Sequence, residues 1–135
     1  MTPTQRTLKA LRDRGMECQV VEQWKAYAKR PGGGPPGIRK DLFGIIDVIA
    51  LDQRRGVIGV QCCGLDFAGH VRKLTESHAR QSYNWLTTPG TALEIWGWRK
   101  VVKKPGQRRK VWEPRIREIT LDDLRVSVLT LEDLW

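Results

Sequence analysis

The chain is 135 residues long, enough for one compact domain and too short for much else. Hydrophobic residues make up 40% of it, which excludes a disordered polyelectrolyte, while 24 Lys and Arg against 15 Asp and Glu leave a formal charge of +9. That excess concentrates polyanions and is consistent with phosphate contacts, which brings nucleic acid forward as a partner.

Residues 1–15 hold no apolar core of signal-peptide length, and no stretch reaches the roughly 18 apolar residues of a membrane span. The expectation is a cytoplasmic protein with no membrane partner. Three cysteines, two of them adjacent at Cys62 and Cys63, are a poor disulfide framework and suit a reducing compartment. On a strand Cys62 and Cys63 face opposite ways, and His70 and His78 diverge by about 80° on a helix, so neither pair makes a zinc site.

In chain order, Thr4 is a predicted N-cap for a helix that runs to about Arg14 and stops at Gly15. Cys18–Trp24 reads as a first strand. Residues 29–40 begin with Lys29-Arg30-Pro31 and continue through a Gly/Pro-rich run, so they read as a mobile loop. Two Ile/Val-rich runs, Leu42–Leu51 and Val57–Cys63, read as a hairpin of buried strands around the turn Asp52–Gly56. After Gly64 comes a helix with Phe67, Val71, Leu74, His78 and Trp85 at helical spacing, ended by Pro89-Gly90. Thr91–Trp98 and Arg109–Thr120 read as two further strands, the first carrying a Trp96-Gly97-Trp98 pair suited to core and edge packing. They are joined by a basic hairpin tip that turns at Pro105-Gly106. Residues 121–135 read as a short helical segment, with Thr120 and Thr130 each followed by acids. The sum is a single α/β domain over residues 1–135, in the order α-β-β-β-α-β-β, with a mixed central sheet flanked by helices.

The chemistry concentrates in Asp41–Ala50 and Gly59–Cys63. Asp47 is an acid inside an apolar run, where a carboxylate is costly unless paired, hydrogen-bonded or metal-bound. Alternation puts Gln61 and Cys63 on one face of the next strand and Ile58, Val60 and Cys62 on the other. Should Asp47 face Gln61, two oxygen-bearing side chains converge in the manner a hard cation such as Mg²⁺ favours.

This pattern of an Asp, a short hairpin, an apolar strand with Val60-Gln61 and then a helix resembles the PD-(D/E)XK nuclease-like superfamily. It is most similar to the small Holliday-junction-resolvase-like and phage-encoded members, over roughly Thr4 to Trp98. The resemblance implies a restriction-endonuclease-like fold and a Mg²⁺- or Mn²⁺-dependent DNA endonuclease, branched DNA among its substrates. It also implies a homodimer, since symmetric cleavage uses two sites. Carried over, the metal-binding Asp is Asp47, Gln61 stands at the Glu position and Cys63 stands where the family has its catalytic Lys. Lys40 and Lys73 are then the candidates for a migrated lysine, and Glu22 for the missing first-helix acid. Lys29, Arg30, Arg39, Lys40, Lys103, Lys104, Arg108, Arg109 and Lys110 are the candidate phosphate contacts.

Each residue has a plainer reading: Asp47 as a cap on backbone donors, Gln61 as a hydrogen-bonding core residue, Cys63 as a small buried hydrophobe, the lysines as solvated charge. At the level of the whole chain, the alternative to an enzyme is a DNA-binding protein that keeps the nuclease-like fold without catalysis. A basic scaffold that binds protein is the third reading.

Overall fold

The structure, a computed structural model, describes residues 1–27, 29 and 32–125. Helix α1 (Pro3–Asp13) is capped by Thr2 rather than Thr4: the Thr2 hydroxyl accepts from the Gln5 amide, and the Gln5 side chain accepts from the Thr2 amide. Pro3 favours this earlier start, because its fixed φ and missing N–H suit the first helical position. Strands β1 (Glu17–Val20), β4 (Val48–Asp52), β5 (Gly56–Cys63), β6 (Thr91–Val102) and β7 (Lys110–Ile119) form one sheet in the order β1-β4-β5-β6-β7. All neighbours are antiparallel except β5 and β6, which are parallel and joined through helix α2 (Phe67–Arg72), a π-helical turn (Lys73–Ser77) and helix α3 (Ala79–Thr87). The architecture is therefore α/β with a mixed sheet. Among the described residues no helix is long and apolar enough to cross a membrane.

Several local expectations are corrected. The first strand is split: β1 ends at Val20 and a separate strand β2 (Gln23–Lys25) pairs with β3 (Ile38–Lys40) in a small second sheet. The loop expected over 29–40 therefore stops short of Ile38. The apolar run from Leu42 is a strand only from Val48, because Phe43 and Gly44 take positive φ (55° and 76°) and fold the chain into a tight turn. The long helix after Gly64 is broken by the π turn, whose freed Leu74 carbonyl accepts from the Ser82 hydroxyl. Of the segment 121–135, Leu121–Asp123 is a 3₁₀ turn and residues beyond 125 lie outside the described residues.

Alternation along the strands sorts the interior into two layers. Ile58, Val60 and Cys62 pack with Leu11 of α1, and Trp96 and Trp98 join them, Trp98 donating its indole N–H to Thr7. Cys63, Leu93 and Ile95 pack instead with Phe67 and Leu74 beneath the α2–α3 crossover. Gln61 shares that second face, so the candidate chemistry lies between the sheet and the crossover.

Candidate metal centre

The tight turn brings two acids side by side. The Leu42 amide donates to the Ile46 carbonyl at 2.8 Å, closing an antiparallel bridge, so Asp41 and Asp47 are the next pair outward from it. Ile45 and Ile46, both fully buried, anchor the turn. The Asp47 amide donates to the Val60 carbonyl and the Val21 amide to the Asp47 carbonyl. Those bonds hold Asp47 between β5 and the β1–β2 connection, where Glu22 sits. Glu22 thus lies in the break between two strands, not on one. Carboxylate oxygens of Glu22, Asp41 and Asp47 all fall within 4.8 Å of one another.

Asp47 is buried, and its Oδ2 accepts from the Gln61 amide nitrogen at 2.9 Å and from the Cys62 backbone N–H at 2.8 Å. The expected facing of Asp47 and Gln61 is thereby present. Gln61 is fully used: Nε2 also donates to Asp41 Oδ2 at 3.2 Å, while Oε1 accepts from Lys73 Nζ at 3.0 Å. Its oxygen points toward the lysine and its nitrogen toward the acids, so Gln61 bridges carboxylates to cation. As placed, it does not offer oxygen to a metal among the acids.

The π turn that continues helix α2 supplies the cation. Asp66 caps α2 by accepting from the Gly69 amide, and His70 of α2 and Lys73, first residue of the π turn, stand three apart on the face toward β5. Lys73 Nζ donates to Asp41 Oδ2 at 2.8 Å. His70 Nδ1 lies 3.2 Å from Gln61 Oε1, an oxygen that can only accept, so Nδ1 carries the ring proton. Burial, then the Lys73 charge, pushes the His70 pKa down and keeps the ring neutral near pH 7.

Electrostatically the two aspartates split. Burial, then the hydrogen bond shared with Asp41, pushes Asp47 up to about 8. Burial works to raise Asp41 too, but the hydrogen bonds it receives from Asp47, Lys73 and Gln61 leave it below its ordinary value. Adjacent carboxylates in a dry site share a proton when too little positive charge is at hand. Here one ammonium serves three acids.

Neither a family model, nor a curated protein, nor a solved structure matches this chain.

What the cluster can do follows from its donor set. Three carboxylates within reach of one point, the Asp47 carboxyl pushed up by burial and by its Asp41 neighbour, make oxygen-rich surroundings in which a metal ion could sit. Glu22, Asp41 and Asp47 are the residues that could hold it.

The other expected residues fall as follows. Lys73 joins the cluster, whereas Lys40 is exposed on β3 and no hydrogen bond or ion pair links it to the acids. Cys63 is 4% exposed in the second core layer, its thiol pushed up to about 11 by burial, and it carries no charge to the site. Lys29, Arg39, Lys103, Lys104, Arg108, Arg109 and Lys110 are all exposed, and Arg30 lies outside the described residues. Sequence reasoning missed Asp41 and His70. The Phe43-Gly44 turn is the only signal for the first, and the three-residue spacing to Lys73 is the signal for the second.

Proposed function

We propose that this chain is a metal-dependent phosphodiesterase acting on DNA, branched DNA included, built on a restriction-endonuclease-like sheet. The observation that carries the reading is the convergence of Glu22, Asp41 and Asp47 with Lys73 set against them through Gln61. The tight turn pairs Asp41 with Asp47, while Glu22, Gln61 and Lys73 reach them from separate parts of the chain. A divalent cation held there supplies positive charge that polarises a scissile phosphate and lowers the pKa of water.

The chain's own residues do the rest. Asp47 would have to be ionised to hold a cation, since ligands must be ionised to bind. Lys73 places an ammonium next to the carboxylates, the charge that the family pattern would have put at Cys63. There it stabilises negative charge that grows on a phosphate during attack. Gln61 holds Lys73 and both aspartates in register. The exposed cations Arg39 and Lys40 sit in the chain immediately before Asp41, and those of the β6–β7 tip extend the positive surface for the phosphate backbone. A homodimer would give symmetric cleavage its second site.

One observation favours the DNA-binding alternative. The Lys73–Asp41 ion pair and the hydrogen bonds that Asp47 accepts from Gln61 and Cys62 already satisfy much of the cluster without a cation. The deciding experiment is cleavage of linear, flapped and four-way DNA with Mg²⁺ or Mn²⁺, wild type beside Asp47→Ala, with metal titrated calorimetrically. Metal-dependent cleavage lost in Asp47→Ala supports the enzyme. Binding of DNA with no cleavage and no metal uptake at millimolar concentration selects the alternative.

A further inference from the structure

Beyond the metal cluster, two concavities of about 350 and 170 Å³ adjoin at the turn between β5 and α2, sharing Gly64, Leu65 and Arg99. Around them stand Arg6, Arg99, Lys100 and Arg115, and among the described residues none of the four has a carboxylate within ion-pair distance. Two are instead held on rings: the Arg6 guanidinium lies 3.8 Å from the Trp112 ring centre, and Arg115 lies 4.2 Å from that of Phe67. Lys100 also lies over Trp112, at 5.3 Å. A ring orders an arginine without neutralising it or consuming its N–H donors, which leaves them for another anion. At the centre Leu65 is 95% exposed, an apolar side chain among cations.

We propose that this groove is the track of a single nucleic-acid strand, with phosphates on Arg6, Arg99, Lys100 and Arg115 and an unstacked base against Leu65. Charge complementarity selects a polyanion, and the interleaving of apolar or aromatic side chains with cations selects one whose bases are free. In a duplex the base faces are stacked inside, so Leu65 would meet only sugar and phosphate. The track starts close to the metal cluster: α2 runs from Phe67, under Arg115, to His70, which contacts Gln61. The inference rests on the phosphodiesterase reading for its purpose, as the strand that leads to or from the cut, but binding is separable from cleavage.

The test is fluorescence anisotropy in EDTA, where no metal-dependent cleavage occurs, with an end-labelled oligothymidylate of about 16 nucleotides. A duplex of equal length and polyglutamate serve as competitors. We expect the single strand to bind more tightly than the duplex. Leu65→Ser and Arg6→Ala/Arg115→Ala should each weaken single-strand affinity by about tenfold, the scale of one lost base or backbone contact. Asp47→Asn should bind as wild type does, so a dead metal site and an absent track give different results. Leu65 is almost fully exposed, so its substitution tests the track even where the double variant does not fold. Equal affinity for single strand and duplex overturns the proposal. So does displacement by polyglutamate at matched charge, or unchanged binding in Leu65→Ser.

Discussion

Lys73 Nζ lies 2.8 Å from Asp41 Oδ2, and this one contact ties the crossover to the turn before β4. It also puts an ammonium beside the candidate cation site from a helix, although the position two residues after Gln61 on the strand carries a thiol. Replacing Lys73 with Met removes the charge and keeps most of the stem's packing. Turnover on DNA should fall by about 10²-fold, the usual scale for a lost electrostatic stabiliser, while DNA affinity changes little. Single-turnover cleavage beside equilibrium binding reads both. Equal losses in the two would make Lys73 an ordinary phosphate contact. Lys40→Met, on exposed β3, should leave turnover near wild type.

The same arrangement makes Cys63→Lys a poor route to higher activity. Cys63 is packed in the second core layer, and its sulfur would lie 3.5 Å from a Cβ added at Gly97. An ammonium placed there would have to be desolvated among Phe67, Leu93 and Ile95, a cost that the nearby Asp66 and Asp47 carboxylates offset only in part. The expected outcome is a loss of about 3 kcal/mol or more in chemical denaturation, without gain in cleavage. A stable and faster variant would mean that the lysine reaches the cluster from the strand after all.

The raised pKa of Asp47 makes stability depend on pH in a defined direction. In the unfolded chain this carboxyl titrates at its ordinary 3.8, and in the fold at about 8. Between those values the folded state keeps a proton that the unfolded state has released, so this contribution is present at low pH and is lost as pH rises through 8. His70, held below its ordinary value, acts in the opposite sense over a lower range. The Asp47 part is isolated by comparison with Asp47→Asn, which stays neutral. In EDTA the melting temperature of wild type should fall relative to that variant between pH 5 and about 8 and then level off. Mg²⁺ should raise it more at pH 8 than at pH 6, because the cation binds the ionised cluster. A pH-independent difference would mean that Asp47 is already ionised.

Gln61→Glu tests the bridge. A fourth carboxylate beside Asp41 and Asp47 adds negative charge for a cation and removes the amide donor that joins them. Mg²⁺ affinity should increase and metal-free stability should drop, both measurable in one series of melts against metal concentration. A variant that is stable without metal and gains no affinity would show that the cluster is not a cation site.

These residues were unequally legible in the sequence. Asp47 and Gln61 could be brought together because strand periodicity and an acid in an apolar run are local signals. Asp41 could not, since its place depends on Phe43 adopting a left-handed conformation that non-glycine residues seldom take. His70 and Lys73 advertise a shared face, but which way that face turns is set by Phe67 and Leu74 docking on the sheet, a tertiary choice. The β2–β3 pair is not legible because three residues carry too little periodicity to read. The break after Val20 likewise leaves no composition signal, so Glu22 reads as part of the strand.

The β6–β7 tip carries exposed cations, and its part in binding is open to a quantitative check. Lys103, Lys104, Arg108 and Arg109 all lie in the turn between the two strands, and no carboxylate pairs with them among the described residues. If each meets a phosphate of duplex DNA, each releases about one counterion on binding. Neutralising all four should then lower the slope of log affinity against log salt by about 3 to 4, with affinity falling most at low salt. Because the tip is exposed, the melting temperature should stay near wild type, which separates lost contacts from lost fold. The single-strand track around Leu65 uses other cations, so oligothymidylate binding should lose less of its slope than duplex binding does. A duplex slope unchanged by the fourfold substitution would take the tip out of the interface and leave Arg39, Lys40 and the β5–α2 groove as the surface that meets DNA.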